Sequence, residues 1–107
     1  MSITDDEMLE VFVQESREHL ENLEPDLLTL EETPTDKDTI NRIFRCVHSL
    51  KGTSGFFGLD NISNLAHAME NLMSLVRDEK IVLNSAMLYV LLAVKDNLII
   101  MVHDPPG

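Results

Sequence analysis

The side chains best suited to chemistry lie in one stretch, from Phe44 to Gly58 (FRCVHSLKGTSGFFG). Ile40, Ile43, Phe44, Val47 and Leu50 recur there at the spacing of a buried helical stripe. His48 sits roughly 100° around the helix from the centre of that stripe, on its flank and half way to solvent. Gly52 and Gly55 follow at i+4 and i+7 on the same flank. Each helical glycine costs about 1 kcal/mol against alanine. Two of them beside one imidazole break a local rule, and such breaks concentrate at functional sites. The gain is access, because no side chain crowds the approach of a second protein to the ring. Arg45 and Lys51 stand three residues either side of His48. Cations at that distance suit a histidine that carries a dianionic phosphoryl group. The same spacing also fits a boundary histidine with ordinary solvated neighbours.

A second group lies further along. Glu70 falls about 100° from the centre of the stripe Ile62, Leu65, Ala66, Met69, Leu72, Met73 and Val76. In an antiparallel pair the flanks bearing His48 and Glu70 can face each other. A carboxylate there could accept a hydrogen bond from one ring nitrogen, fix the tautomer and leave the other nitrogen with a free lone pair. The same orienting logic operates in catalytic triads. His67, one turn earlier, points further out. Glu70 can equally be one solvated acid among 19.

Four helices must position these residues. The first is expected over 4–32, with Thr4 as N-cap, Glu7 completing a capping box and Ile3 and Met8 forming the hydrophobic staple. Pro25 interrupts its apolar pattern, which resumes in register, so a kink rather than a division is expected. The second helix is expected over 36–57, capped by Thr35 or Asp36, and ends at the turn Gly58-Leu59-Asp60. The third is expected over 61–77, after a cap at Asp60 or Asn61. The fourth is expected over 84–103, opened by Asn84 or Ser85. Its β-branched Val90, Val94, Ile99, Ile100 and Val102 also suit strands, but no hairpin signal accompanies them. Four amphipathic helices with short connections give an all-α, up-down-up-down four-helix bundle, one domain over 1–107.

Composition narrows the function. The 107 residues are enough for one core, and a single Cys46 can form no internal disulfide. No basic, apolar signal segment opens the chain, and Lys95, Asp96 and Asn97 interrupt the most apolar run, Met87 to Val102. A cytoplasmic location is expected, with no membrane association. The net charge of −11 argues against nucleic acid and anionic lipid as partners. Thirteen of the 19 acidic residues fall within 1–38, whereas four of the eight basic ones lie between Lys37 and Lys51. The stretch around His48 is therefore the least acidic part of the chain.

His48-Ser49-Leu50-Lys51-Gly52, followed by Gly55 and Phe57-Gly58, closely resembles the phosphotransfer motif of histidine phosphotransfer (HPt) domains. Within that family the chain is most similar to the N-terminal domains of chemotaxis histidine kinases of the CheA type. The likeness takes in the acidic first helix, the lead-in Ile43-Phe44-Arg45 and the block from His67 to Leu72. It implies that His48 is phosphorylated, that Glu70 orients and polarises its ring, and that Lys51 and His67 belong to the supporting network. Arg45, Gly52 and Gly55 would serve partner docking. The implied partners are an ATP-dependent histidine kinase domain, often in the same polypeptide, and the receiver domain of a response regulator, which accepts the phosphoryl group on aspartate. ATP and magnesium would belong to those partners, and this domain would need no cofactor or metal. Such domains usually have a further C-terminal helix, which this sequence stops short of, and Pro25 is also a departure from their pattern.

Two other classes compete. A non-covalent docking module would use Phe56, Phe57 and the basic patch. A metal site would draw on Glu15 with His19 and His67 with Glu70, pairs that share a helix face but lack the further inward carboxylates that bundle metal sites use. No triad, phosphate-binding loop or carboxylate pair suggests hydrolysis or isomerisation.

Overall fold

Each of the four apolar stripes becomes a helix. The computed structural model describes residues 5–103 and contains α1 (Asp5–Glu32), α2 (Lys37–Phe56), α3 (Asp60–Arg77) and α4 (Ser85–His103). Thr4 and Ile3, the expected cap and staple of α1, lie outside the described residues. Each helix packs on its neighbours in the order α1–α2–α3–α4–α1, and neither diagonal pair approaches as closely. That is the up-down-up-down bundle. Its most extensive pairing is α2 with α3. The long axis of 46 Å is set by α1, whose 28 residues span about 42 Å at the helical rise.

The core is a stack of aliphatic layers. Leu20, Leu23, Leu27 and Leu30 of α1 meet Ile43 and Val47 of α2, Ile62 and Met73 of α3, and Leu91, Leu98 and Val102 of α4, all of them buried. Each such side chain contributes roughly 1.5–3 kcal/mol by leaving water. The β-branched residues of α4 do not divert it into a strand, because its stripe from Leu88 to Val102 is buried at helical spacing in a helix that packs on α1 and α3. Lys95, Asp96 and Asn97 were expected to break the most apolar run short of a membrane span, but by length and composition α4 is long and apolar enough to cross a bilayer. Its interrupting Lys95 is not a solvated charge. It is buried, and its Nζ meets Asp96 at 2.7 Å and Glu24 of α1 at 3.6 Å. A buried ammonium needs such partners.

Pro25 lies inside a single continuous α1. It withholds the N–H that the Glu21 carbonyl would otherwise receive, but both residues face solvent, where water can serve instead. Asp36 precedes α2 without capping its backbone, and its carboxylate instead accepts the Thr39 hydroxyl at 2.7 Å. Leu59, rather than Asp60 or Asn61, is the N-cap of α3. Asn84 caps α4 through Oδ1, which accepts the Met87 N–H at 2.9 Å.

The two helix ends that matter most for the site share one motif. After α2, the N–H groups of Gly58 and Leu59 reach back to the carbonyls of Gly55 and Ser54, with Gly58 at φ 71°. After α3, Glu79 and Lys80 reach back to Val76 and Leu75, with Glu79 at φ 61°. Both are Schellman closures, which need a left-handed residue. Glycine meets that need freely, whereas glutamate does so against its Cβ. The Glu79 side chain offsets little, since its 3.6 Å pair with Lys37 is fully solvated. Replacing Glu79 with Gly is therefore expected to raise stability by about 1 kcal/mol. A urea midpoint that moves down would refute this.

Candidate functional site

The short turn after α2 sets the register of the site. Residues equally far from Leu59 stand at the same height on the two antiparallel helices. His48 and Glu70 are each eleven residues from it, and Gly55 and Ser63 are each four. A Cβ added at Gly55 would stand 3.5 Å from Ser63 Oγ, an ordinary van der Waals contact across to α3. The Ser63 hydroxyl donates to the Lys51 carbonyl at 3.1 Å and joins the helices just below the site. Gly55 is exposed at the border between that flank and α3. Gly52 does face open space, with nothing within 4 Å of an added Cβ.

Above this contact, Glu70 accepts two hydrogen bonds, one on each oxygen. His48 Nδ1 lies 2.6 Å from Oε2, and Lys51 Nζ lies 2.8 Å from Oε1. The Glu70 side chain is only 12% exposed, whereas that of His48 is 60% exposed. Burial pushes the Glu70 carboxyl pKa up. The hydrogen bonds and charges of Lys51 and His48 outweigh that effect and hold it below the ordinary carboxylate value. An ionised carboxylate has no proton to give, so the proton of the short contact belongs to Nδ1. In a neutral ring that leaves the Nε2 lone pair bare, on a side chain that is mostly in solvent.

The other expected residues are distributed differently. His67 is exposed, and the hydrogen bonds that hold Glu70 come from His48 and Lys51 without it. Arg45 lines a groove of about 670 Å³ between α1 and α2, whose walls do not include His48. Three residues round a helix carry it to the neighbouring face. Cys46 lines the same groove, its thiol pKa pushed up to about 11 by burial and by Asp26, which leaves it an inert thiol. Phe56 is 75% exposed, while Phe57 turns inward and packs on Phe12 at 5.1 Å between ring centroids. Glu15 lines the α1–α2 groove with His19, and among the described residues no three His, Cys, Asp or Glu side chains come together as a metal site.

A family model of the Hpt domain matches residues 7–99. The chain belongs to the Hpt domain family. Its relatives include the chemotaxis protein CheA of Listeria monocytogenes, 35% identical over 91% of this chain and 16% of that protein. CheA of Rhizobium meliloti is 41% identical over 84% of this chain and 12% of that protein. The chain thus spans about a sixth or less of the length of these two relatives. Among solved structures, the CheA phosphotransferase domain from Thermotoga maritima superposes with a TM-score of 0.89 and 38% identity, covering 94% of this chain and 96% of that one. A solution structure of the histidine phosphotransfer domain of CheA gives 0.85 and 38%, covering 94% of this chain and 75% of that one.

This Hpt domain has neighbours of His48 that its sequence pattern did not mark. Phe44 lies one turn before His48, and the two rings are nearly parallel, with 12° between their planes and 6.0 Å between centroids. Arg77 of α3 places its guanidinium carbon 4.3 Å from the centre of the Phe44 ring. Phe44 looked like one more residue of the apolar stripe. The signal for its second contact was its i, i+4 relation to His48. Arg77 carried only the generic signal of a cation at a helix C-terminus.

Proposed function

We propose that this domain carries a phosphoryl group on Nε2 of His48, between an ATP-dependent histidine kinase domain and the receiver domain of a response regulator in a chemotaxis-type signalling system. The observation that carries the reading is the 2.6 Å contact of Nδ1 with an ionised, nearly buried Glu70, which leaves Nε2 as the nucleophile. In the first step the Nε2 lone pair attacks the γ-phosphorus of ATP, and the bond from phosphorus to the β,γ-bridging oxygen breaks. ADP leaves with that electron pair. The ring now bears phosphoryl on Nε2 and hydrogen on Nδ1, and so a positive charge, which the Glu70 carboxylate stabilises. In the second step a receiver aspartate attacks the same phosphorus, and the P–N electron pair returns to Nε2. Glu70 lowers the barrier to loading by stabilising the positive charge that develops on the ring, and after unloading it holds the Nδ1 proton so that Nε2 is again the free nucleophile.

Lys51 neutralises the second Glu70 oxygen and adds positive charge near the phosphoryl group. His67 and Arg45 border the face that partners approach. ATP and magnesium act on the partner domains, and this domain needs no cofactor of its own. The parent polypeptide is a histidine kinase of the CheA type acting in the cytoplasm, with this domain as its phosphoacceptor and donor. The test is incubation with radiolabelled ATP and a chemotaxis-type kinase core. Label stable to alkali and lost in acid is expected, as a phosphoramidate requires. A folded domain that takes no label from several such kinases would refute the reading.

Gly52 offers a separate check on partner approach. An added methyl meets nothing within the domain, so Gly52→Ala should raise stability by about 1 kcal/mol through helix propensity. Slower phosphoryl transfer in this more stable variant would show that the glycine is kept for the partner. An unchanged rate would remove it from the docking face.

A further inference from the structure

One hydrogen bond does not fix an imidazole. The contact from Nδ1 to Glu70 anchors a single atom of a mostly exposed ring, which can swing away about its side-chain torsions and, once released, carry its proton on Nε2 instead. A fixed direction for Nε2 needs a second restraint on the ring plane. The structure supplies one in the offset stack of Phe44 on His48. Phe44 is itself only half-buried, at the edge of the core. Arg77 covers its face at 4.3 Å, and the guanidinium is directed by Asp78 at 3.3 Å and Ser74 at 3.5 Å.

We infer that Phe44 is a positioning residue that fixes the plane of the His48 ring, and that Arg77 acts on His48 through Phe44. The inference rests on the phosphotransfer reading for its purpose, since in-line attack demands a defined direction for the Nε2 lone pair. It also gives Arg77 a role that its distance from the imidazole would not suggest. The competing account is structural: Phe44 as an edge core residue, with Arg77 lying across it for want of a better partner. The two accounts differ in what happens to the ring.

The experiment combines ¹⁵N NMR of the His48 imidazole with loading kinetics from a chemotaxis-type kinase core, using the whole domain. Wild type should show a predominantly Nδ1-protonated ring. Phe44→Leu should populate the other tautomer and lower kcat for loading about tenfold, with KM for the domain unchanged. Phe44→Tyr, which keeps the ring face, should restore both. Arg77→Gln should lower kcat about threefold, the size of an exposed cation–π contact, and should have no further effect in the Phe44→Leu background. A wild-type tautomer and rate in Phe44→Leu would overturn the inference. So would an Arg77→Gln effect that multiplies undiminished with Phe44→Leu, because Arg77 would then act independently of Phe44. If Phe44→Leu does not fold, Arg77→Gln gives the same reading: a weakened Nδ1–H signal supports the stack, and an unaltered one overturns it. Failure of the phosphotransfer reading would look different. Wild type itself would take no label, while the tautomer measurements would still decide whether Phe44 orients the ring.

Discussion

His48→Gln is expected to reduce phosphoryl incorporation to background while leaving the bundle folded. The glutamine amide retains an N–H that can donate to Glu70 but has no basic lone pair with which to attack phosphorus. The side chain replaced is 60% exposed, so the thermal midpoint should shift by no more than about 0.5 kcal/mol implies. The specificity of the prediction lies in the other imidazoles. His19 lines the α1–α2 groove, and His67 is exposed without a carboxylate on its ring. His103 has Arg17 Nη1 at 3.2 Å from its Nε2, a cation where an orienting anion would be needed. Among the described residues only His48 has a carboxylate within ion-pair distance of its ring. Labelling that survives in His48→Gln, with the same acid lability, would move the phosphoryl group to one of the others.

The fold was legible because the periodicity was strong wherever helices bury a stripe. The boundaries of α2, α3 and α4 fall within one residue of those that caps and turns suggested. The α3 cap was misplaced because Asp60 and Asn61 are good cap types, whereas the Schellman closure at Gly58 hands the chain to α3 one residue earlier. Lys95 was misread for a related reason: a charge in an apolar run looks like an interruption until Glu24 and Asp96 are seen to receive it. At the site, the opposition of His48 and Glu70 followed from two helical wheels and one short turn. Lys51 followed from the motif. What could not follow is which of two adjacent faces a cation three residues away will take. Arg45 and Lys51 are symmetric about His48 in sequence, yet one turns toward the α1 groove and the other reaches α3. The Phe44–Arg77 contact was invisible for another reason: a half-buried aromatic belongs to the core by pattern, and the use of its free face depends on how α3 packs beside it.

Removing the Glu70 carboxylate should slow phosphoryl transfer far more than it weakens the fold. Glu70→Gln keeps shape and burial but loses the charge that holds the Nδ1 proton and stabilises the phosphorylated, positively charged ring. A fall of roughly 10- to 100-fold in loading rate is expected, in line with a positioned acid–base group. The cost in stability should be about 1–2 kcal/mol, the value of hydrogen bonds to a charged group, because Lys51 can return part of its side chain to water. The pH dependence separates this role from ordinary packing. A carboxyl whose folded pKa is depressed contributes stability that is complete above its unfolded value of about 4.3 and is lost as pH falls through the lower folded value. The stability difference between wild type and Glu70→Gln should therefore shrink as pH falls below about 4.3. The remaining acidic groups cancel in that difference. A difference that does not change across the acid range would mean that the charge of Glu70 is not what binds it to Lys51 and His48. Its effect on transfer would then have to come from shape alone.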